Sequence, residues 1–332
     1  MFPIGIDIGY GYTKGSVKSQ VLSDLVFPSL ISKLTHRNVG DLFGSMEGWD
    51  NLRVGLSGSV DGNYAVGELA MLEGHAATLS FDQNKTGQIG TAVLLATMCA
   101  ALSSTNMELA LVSGLPLDYY QAQKGEFLEY LRGFNARVEF LSGPRRGFGR
   151  TVKFGKVGVL PQSAGAYFHI IAQQRAVPRG LAVVIDVGFK TTDILVMNGV
   201  MPVEELSGTE EIGTNTVAQA VSKDLVAQLG VKPPVEMCEA AVRTGRVFFR
   251  GQEINLNGTL AEAKTAMAKK LAASLKVRLG SSLEFSSKAH EIYLVGGGAE
   301  ILRDEFAYLG GRVIEGAQLA NARGFLEQAS NL

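Results

Sequence analysis

The chain is poor in cysteine: Cys99 and Cys238 are its only two among 332 residues. Two cysteines give neither a disulfide framework nor the paired spacing of a zinc site, and a reducing cytoplasm suits them. Charge of one sign is also lacking, because 31 Lys and Arg face 32 Asp and Glu, for a net charge of −1. A protein that wraps nucleic acid along a broad face is normally basic, so the balance argues against direct binding of that kind; it does not exclude nucleic acid reached through a partner. Long apolar runs are missing too. The longest, residues 92–102 with Thr97 inside it, falls short of the ~20 residues that span a bilayer and reads as a buried helix. The opening MFPIGIDIGY has neither the charged nor the long apolar region of a secretory leader.

What is present is ordinary for a folded protein, with 46% hydrophobic and 19% charged residues. Glycine is the outlier at 40 residues; without a Gly-X-Y period this excludes collagen and means many tight turns. At ~150 residues per domain the length implies about two domains. Residues 4–8 read as a buried strand, 12–17 and 21–27 as further strand pieces, and 30–63 as irregular surface structure. Helices are expected over 86–103, 119–132, 162–174, 213–229, 259–279, 299–309 and 317–329, and apolar strands over 109–113, 181–185, 192–197 and 291–295. Residues 135–157 read as strands around GPRRGFGR, whose three arginines could touch phosphates but more simply fit a solvated hairpin tip. Helix and strand alternate in two successive blocks, which argues for two α/β lobes rather than one sheet.

The two blocks carry matching motifs. Ile-Gly-Ile-Asp7-Ile-Gly9 resembles Val-Val-Ile-Asp186-Val-Gly188, with the aspartates 179 positions apart. Each aspartate ends an apolar strand and precedes a glycine and a threonine-bearing return strand. Either motif alone fits an ordinary β-turn; the pair in matching contexts argues for shared chemistry. Successive N–H groups in a tight turn form a concavity that binds anions. Hydroxyls of Thr13, Thr191 and Thr192 can add donors, and Lys14 can neutralise phosphate as a point cation. Carboxylates beside phosphate make sense when magnesium, with several waters, lies between them. A third element, Tyr293-Leu294-Val295-Gly296-Gly297-Gly298-Ala299-Glu300, reads as strand, glycine triplet and helix, against which a flat ring or phosphate can lie. It is neither a Walker A motif nor a GxGxxG fingerprint.

These residues resemble the actin, sugar kinase and chaperone ATPase superfamily. IGIDIGYGYTKG is similar to phosphate-1, VVIDVGFKTTDI to phosphate-2 and YLVGGGAEIL to the adenosine motif. Leu160–Gly165 and Asn321–Phe325 look like the first and second connecting helices. Leu115–Tyr120, Tyr64–Ala70 and Gly296–Glu300 are similar to bacterial plasmid-segregation actins of the ParM or StbA type. The resemblance implies an α/β, actin-like two-lobed fold with duplicated ribonuclease-H-like cores around a nucleotide cleft. Lobe I would be residues 1–160 with a returning helix 319–332 and an outer subdomain at about 26–82; lobe II would be 161–318, its outer subdomain at about 216–280. It further implies ATP or GTP with magnesium, self-assembly into filaments, and a ParR-like adaptor bound to centromere-like plasmid DNA, with no direct DNA or membrane contact.

Carried onto this chain, the resemblance makes Gln162 the residue that orients the attacking water and Asp7 and Asp186 the holders of magnesium, mainly through water. Nucleotide contacts fall to Gly9, Gly11, Tyr12, Thr13, Lys14, Gly188, Phe189, Lys190, Thr191, Thr192, Gly213, Gly296, Gly297 and Gly298. Two features depart from the usual pattern: Phe189 and Lys190 fill a turn that is often smaller and richer in glycine, and Gln162 stands where the best-known segregation actins carry Glu. Two other readings share the fold. A small-molecule kinase needs a carboxylate base facing the acceptor hydroxyl, for which Asp193 is the candidate; a non-polymerising scaffold would only sense nucleotide. His169 reads as packed or edge-exposed, and Trp49 as a local packing residue or a filament contact.

Overall fold

The computed structural model describes residues 1–34, 48–72, 78–79, 84–103, 107–233, 235–280, 289–307 and 310–332. They form two compact units, residues 1–176 with 319–332, and residues 177–318.

The first unit opens with a meander, β1 (Phe2–Ile8), β2 (Tyr12–Ser16) and β3 (Asp24–Pro28), paired antiparallel in sequence. Further strands are β4 (Leu30–Lys33), β5 (Leu52–Gly58), β6 (Gly62–Val66), β7 (Thr78–Leu79), β8 (Leu109–Leu115), β9 (Asn135–Phe140) and β10 (Gly149–Pro161). The helices are α1 (Glu68–Leu72), α2 (Ile89–Leu102), α3 (Leu117–Gly133) and α4 (Gln162–Gln174). Strand order is β3-β2-β1-β8-β10-β9-β5-β6-β4-β7. The long β10 makes this continuity possible: Gly149–Lys153 pairs antiparallel with β9, and Phe154–Pro161 runs parallel to β8 after a register shift. Ile4, Ile6 and Ile8 of β1 are fully buried, each contributing about 1.5–3 kcal/mol by leaving water. From Gly90 to Leu102, α2 is buried on every face, as an all-apolar helix must be. β1, β8 and β10 are parallel, with Ile6 opposite Ser113 and Ser113 opposite Val159. Their C-terminal ends therefore share one edge, the place where open α/β sheets bind ligands.

The second unit contains β11 (Leu181–Val187), β12 (Thr192–Asn198), β13 (Met201–Pro202), β14 (Gly208–Glu210), the hairpin β15 (Arg246–Phe249) and β16 (Gln252–Asn255), β17 (Ala289–Val295) and β18 (Gly311–Val313). Its main sheet runs β13-β12-β11-β17-β18, with β14 on β12. Its helices are α5 (Asn215–Leu229), α6 (Val235–Thr244), α7 (Asn257–Leu279) and α8 (Arg303–Ala307). Val217, Val221 and Leu225 of α5 and Leu260, Met267, Leu271 and Leu275 of α7 face the core at helical spacing. No helix among the described residues is long and apolar enough to cross a membrane.

The last helix, α9 (Ala320–Ala329), returns to the first unit and packs against α4. That packing joins α4 to the first unit. The segment expected to be irregular, 30–63, holds β4, β5 and the start of β6. In β5, Leu52, Val54 and Leu56 alternate inward; surrounding Gly, Asn and Asp obscured that period. Residues 35–47 of the segment lie outside the described residues. The expected helix 299–309 is a 3-10 turn, Glu300–Leu302, followed by the five-residue α8. Arg150 corrects the solvated-tip reading: it is buried, and its guanidinium donates to the Ser103 hydroxyl and to the Met107 and Thr151 carbonyls. Trp49 packs against the first unit's core.

Candidate functional site

The two aspartate-glycine motifs fold alike. The Gly9 N–H donates to the Tyr12 carbonyl at 3.1 Å, and the Gly188 N–H to the Thr191 carbonyl at 2.9 Å. A Cβ at either glycine would lie 2.9 Å from that same carbonyl oxygen, so both turns require glycine for one reason. Across the hairpins, Asp7 stands opposite Lys14 and Asp186 opposite Asp193. The same fold position thus holds a cation in one unit and an anion in the other.

Asp7 is the centre of the first unit's turn. It is 1% exposed, accepts from Lys14 Nζ at Oδ2 (2.8 Å) and from Gln162 Nε2 at Oδ1 (2.6 Å). Burial pushes its carboxyl upward, but Lys14, Lys85 and the two hydrogen bonds outweigh that and hold it below the ordinary carboxylate value. Gln162 is the first residue of α4, so the helix start fixes its amide over the end of β1.

In the second unit, the start of α5 braces the turn. Thr214 N–H donates to the Gly188 carbonyl (3.1 Å) and Asn215 N–H to the Phe189 carbonyl (2.9 Å). Gly213 fits only without a side chain, since a Cβ would fall 2.3 Å from the Phe189 oxygen. The glycine triplet lies at the end of β17. Gly296, at φ +85°, leaves room for Asp186, whose Oδ1 would be 2.3 Å from a Cβ there. Gly298 donates its N–H to the Val187 carbonyl (2.9 Å) and is hemmed by Val187 and Thr214. Gly297 alone is exposed, and a Cβ there would meet only the Gln318 side chain, at 3.9 Å. Packing therefore accounts for two glycines of the triplet, and Gly297 is the one that presents bare backbone. With α8 only five residues long, the expected helix N-terminus adds no anion site.

Among the described residues, no group of three or more His, Cys, Asp and Glu could hold a metal. Both oxygens of Asp7 already have protein partners. This donor set fits magnesium that arrives with phosphate and keeps its waters, not a metal caged by protein alone.

Known proteins resemble both units. Residues 5–165 match the family "Actin like proteins N terminal domain", and residues 184–308 match "Archaeal actin homologue MreB-like, C-terminal". An archaeal actin homolog of Thermoplasma acidophilum is 25% identical over 99% of both chains. The ParM of a 15-stranded filament from Clostridium botulinum superposes with a TM-score of 0.83 at 26% identity, covering 100% of this chain and 99% of that one. The chain has an actin-like fold. The fold is shared as well by Ta0583, an archaeal actin homolog solved with ADP, at a TM-score of 0.80 and 22% identity over the whole of both chains.

Within this fold not every expected donor faces outward. Thr13 and Thr192 are fully buried. The Thr13 hydroxyl pairs with Ser29 Oγ (2.9 Å), and the Thr192 hydroxyl donates to the Ile212 carbonyl (2.7 Å). Both brace their turns, a correction to the reading of these hydroxyls as phosphate donors. Gly11, Tyr12, Lys14, Phe189, Lys190 and Thr191 are half-buried along the turns. Asp193 is buried and accepts from the Thr209 hydroxyl at 2.6 Å, a structural position. Two residues escaped the sequence reading. Ser29 ties down the first turn, its hydroxyl donating to the Gly9 carbonyl (2.6 Å) and its N–H to that of Gly11 (2.9 Å). Lys85 is buried beside Asp7's end of the sheet and donates to the Gly114 carbonyl. Neither carries a motif; only the fold brings positions 29 and 85 to the turn.

Proposed function

We propose that this actin-like protein is a cytoplasmic, filament-forming ATPase or GTPase that segregates plasmid DNA through a ParR-like adaptor. The observation that carries the catalytic part is the Gln162 amide held on buried Asp7 beside the glycine turn. With Nε2 donating to Asp7, Oε1 is the acceptor left for a water. An amide is no strong base, but phosphoryl transfer chiefly needs positioning and electrostatic stabilisation.

In this reading the backbones of Gly9, Gly11 and Tyr12 and of Gly188, Phe189, Lys190 and Thr191 contact phosphate, with Lys14 as countercharge and Thr13 and Thr192 bracing the turns. Gly297 presents bare backbone to base or ribose, and Gly213, Gly296 and Gly298 shape its surroundings. Magnesium, when bound, would offset charge on the phosphates, with Asp7 and Asp186 holding its waters. Self-assembly is supported by the fold shared at full length with the Clostridium botulinum ParM of a filament. The near-zero net charge favours an adaptor over direct DNA binding. A kinase would need a base facing an acceptor, and Asp193 is tied to Thr209 instead.

Light scattering after addition of magnesium with ATP or GTP, with phosphate release followed in the same cuvette, tests the reading. The expected result is a nucleotide-triggered rise above a critical concentration, with phosphate release following it. No rise over a wide range of concentration and salt removes the filament, and the absence of phosphate release removes the enzyme.

A further inference from the structure

Lys85 is only 1% exposed. Lysines are almost never fully buried unless paired, because removing an ammonium from water is costly. Its Nζ donates to the carbonyl of Gly114, 3.3 Å away, at the end of β8. A Cβ on Gly114 would lie 2.9 Å from Cγ of Gln162, and Gln162 donates to Asp7. Lys85 thus belongs to the cluster that holds Gln162, and its charge acts on Asp7 together with that of Lys14.

The two lysines differ in placement. Lys14 is 12% exposed at its side chain and pairs directly with Asp7. Its Nζ also borders the glycine turn, 3.3 Å from where a Cβ on Gly9 would be. Lys85 is held inside, on a main-chain carbonyl.

We propose that Lys85 is the permanent countercharge of Asp7, which releases Lys14 to bind phosphate. With Lys14 alone, Asp7 and an incoming phosphate would compete for one ammonium, and the loser would be a buried carboxylate without a cation. With Lys85 in place, Asp7 keeps a positive neighbour and its grip on Gln162 while Lys14 turns to the anion. Lys85 is a positioning residue, and the proposal rests on the nucleotide reading given above.

The test uses the full chain with Lys85→Met and Lys85→Arg. Binding of fluorescent ATP and GTP analogues with magnesium is titrated, and thermal melting is recorded without nucleotide. Lys85→Met is expected to bind at least about 10-fold more weakly, as befits a lost buried countercharge, and Lys85→Arg within about threefold, since the charge is kept. A purely structural role would lower the melting temperature and leave affinity unchanged; parental affinity in a folded Lys85→Met overturns the proposal. Should Lys85→Met not fold, the double variant Asp7→Asn/Lys85→Met decides. Recovery of folding supports the pair, because neither charge is then buried alone, and continued failure to fold overturns it. Melting requires no nucleotide, so a parent that binds none would sink the nucleotide reading while the charge coupling is still measured.

Discussion

Gly324 of α9 rests directly on the backbone of Gly165 in α4: a Cβ on Gly324 would lie 1.7 Å from the Gly165 carbonyl oxygen. In the other direction, a Cβ on Gly165 would lie 2.8 Å from the Asn321 carbonyl oxygen. Asn321 closes the crossing by accepting the Ala166 N–H at Oδ1, 3.0 Å away. The helices meet where neither has a side chain, and α4 begins at Gln162. Gly324→Ala is therefore expected to cost about 1–3 kcal/mol of folding stability, as overpacking does, and to weaken the Gln162–Asp7 contact. Urea denaturation checks this; a loss under about 0.5 kcal/mol, the scale of a neutral surface change, would show that the helices give way freely.

Much of this was legible in the sequence, and the failures have physical causes. The Asp7 and Asp186 turns could be read because glycine after a strand-ending aspartate is a local requirement, met within four residues. The amphipathic period of α7 could be read for the same reason. Thr13 and Thr192 were misassigned because a hydroxyl's partner is set by the fold: Ser29 and Ile212 lie 16 and 20 positions away. Arg150 reads as a solvated cation until β10 carries it under Ser103 and Met107. Lys85 could not be read at all, since a lone lysine ahead of an apolar helix has no spacing to identify it.

His169 gives a pH-dependent test of the same helix pair. It is 8% exposed, and its Nε2 has no hydrogen-bond partner among the described residues. Burial, helped by the charge of Arg323 and opposed by Glu327 and Asp24, holds its pKa below the ordinary histidine value. A depressed pKa means that the unfolded chain binds the extra proton first. Its contribution to stability is thus complete above about pH 6.5 and declines as pH falls toward the folded value. The urea midpoint should fall between pH 7.5 and 5.5, and His169→Gln should flatten that part of the profile. An unchanged slope in the variant would place the titration elsewhere.

Gly297 and Gly298 separate ligand contact from packing. A Cβ at Gly298 would meet Val187 at 2.5 Å and Thr214 at 2.6 Å, whereas one at Gly297 meets nothing closer than 3.9 Å. Gly298→Ala is expected to lower the melting temperature by several degrees, about 1–3 kcal/mol of overpacking. Gly297→Val should melt near the parent and lose nucleotide affinity by about tenfold, through steric exclusion of a flat ring from the backbone. Parental affinity in Gly297→Val would move the base or ribose away from the triplet.

Gln162 divides binding from chemistry. Its amide touches Asp7 and, in the proposed reaction, the attacking water, but neither base nor ribose. Removal should therefore leave ground-state binding nearly intact and act on the transition state, the signature of a fall in turnover without a rise in KM. Gln162→Ala is expected to bind nucleotide and assemble as the parent does, while phosphate release slows by about 10- to 100-fold, on the scale of losing one positioned polar group. Gln162→Glu offers a sharper contrast. Glutamate cannot donate to Asp7 as the amide does, and a second carboxylate beside a buried one is repelled. If Gln162 acts through its hold on Asp7, this variant loses turnover as well; if only an oxygen facing the water matters, it retains activity. Phosphate-release assays of the two variants, run beside nucleotide titrations, distinguish these outcomes, and unchanged release in Gln162→Ala would remove Gln162 from the reaction.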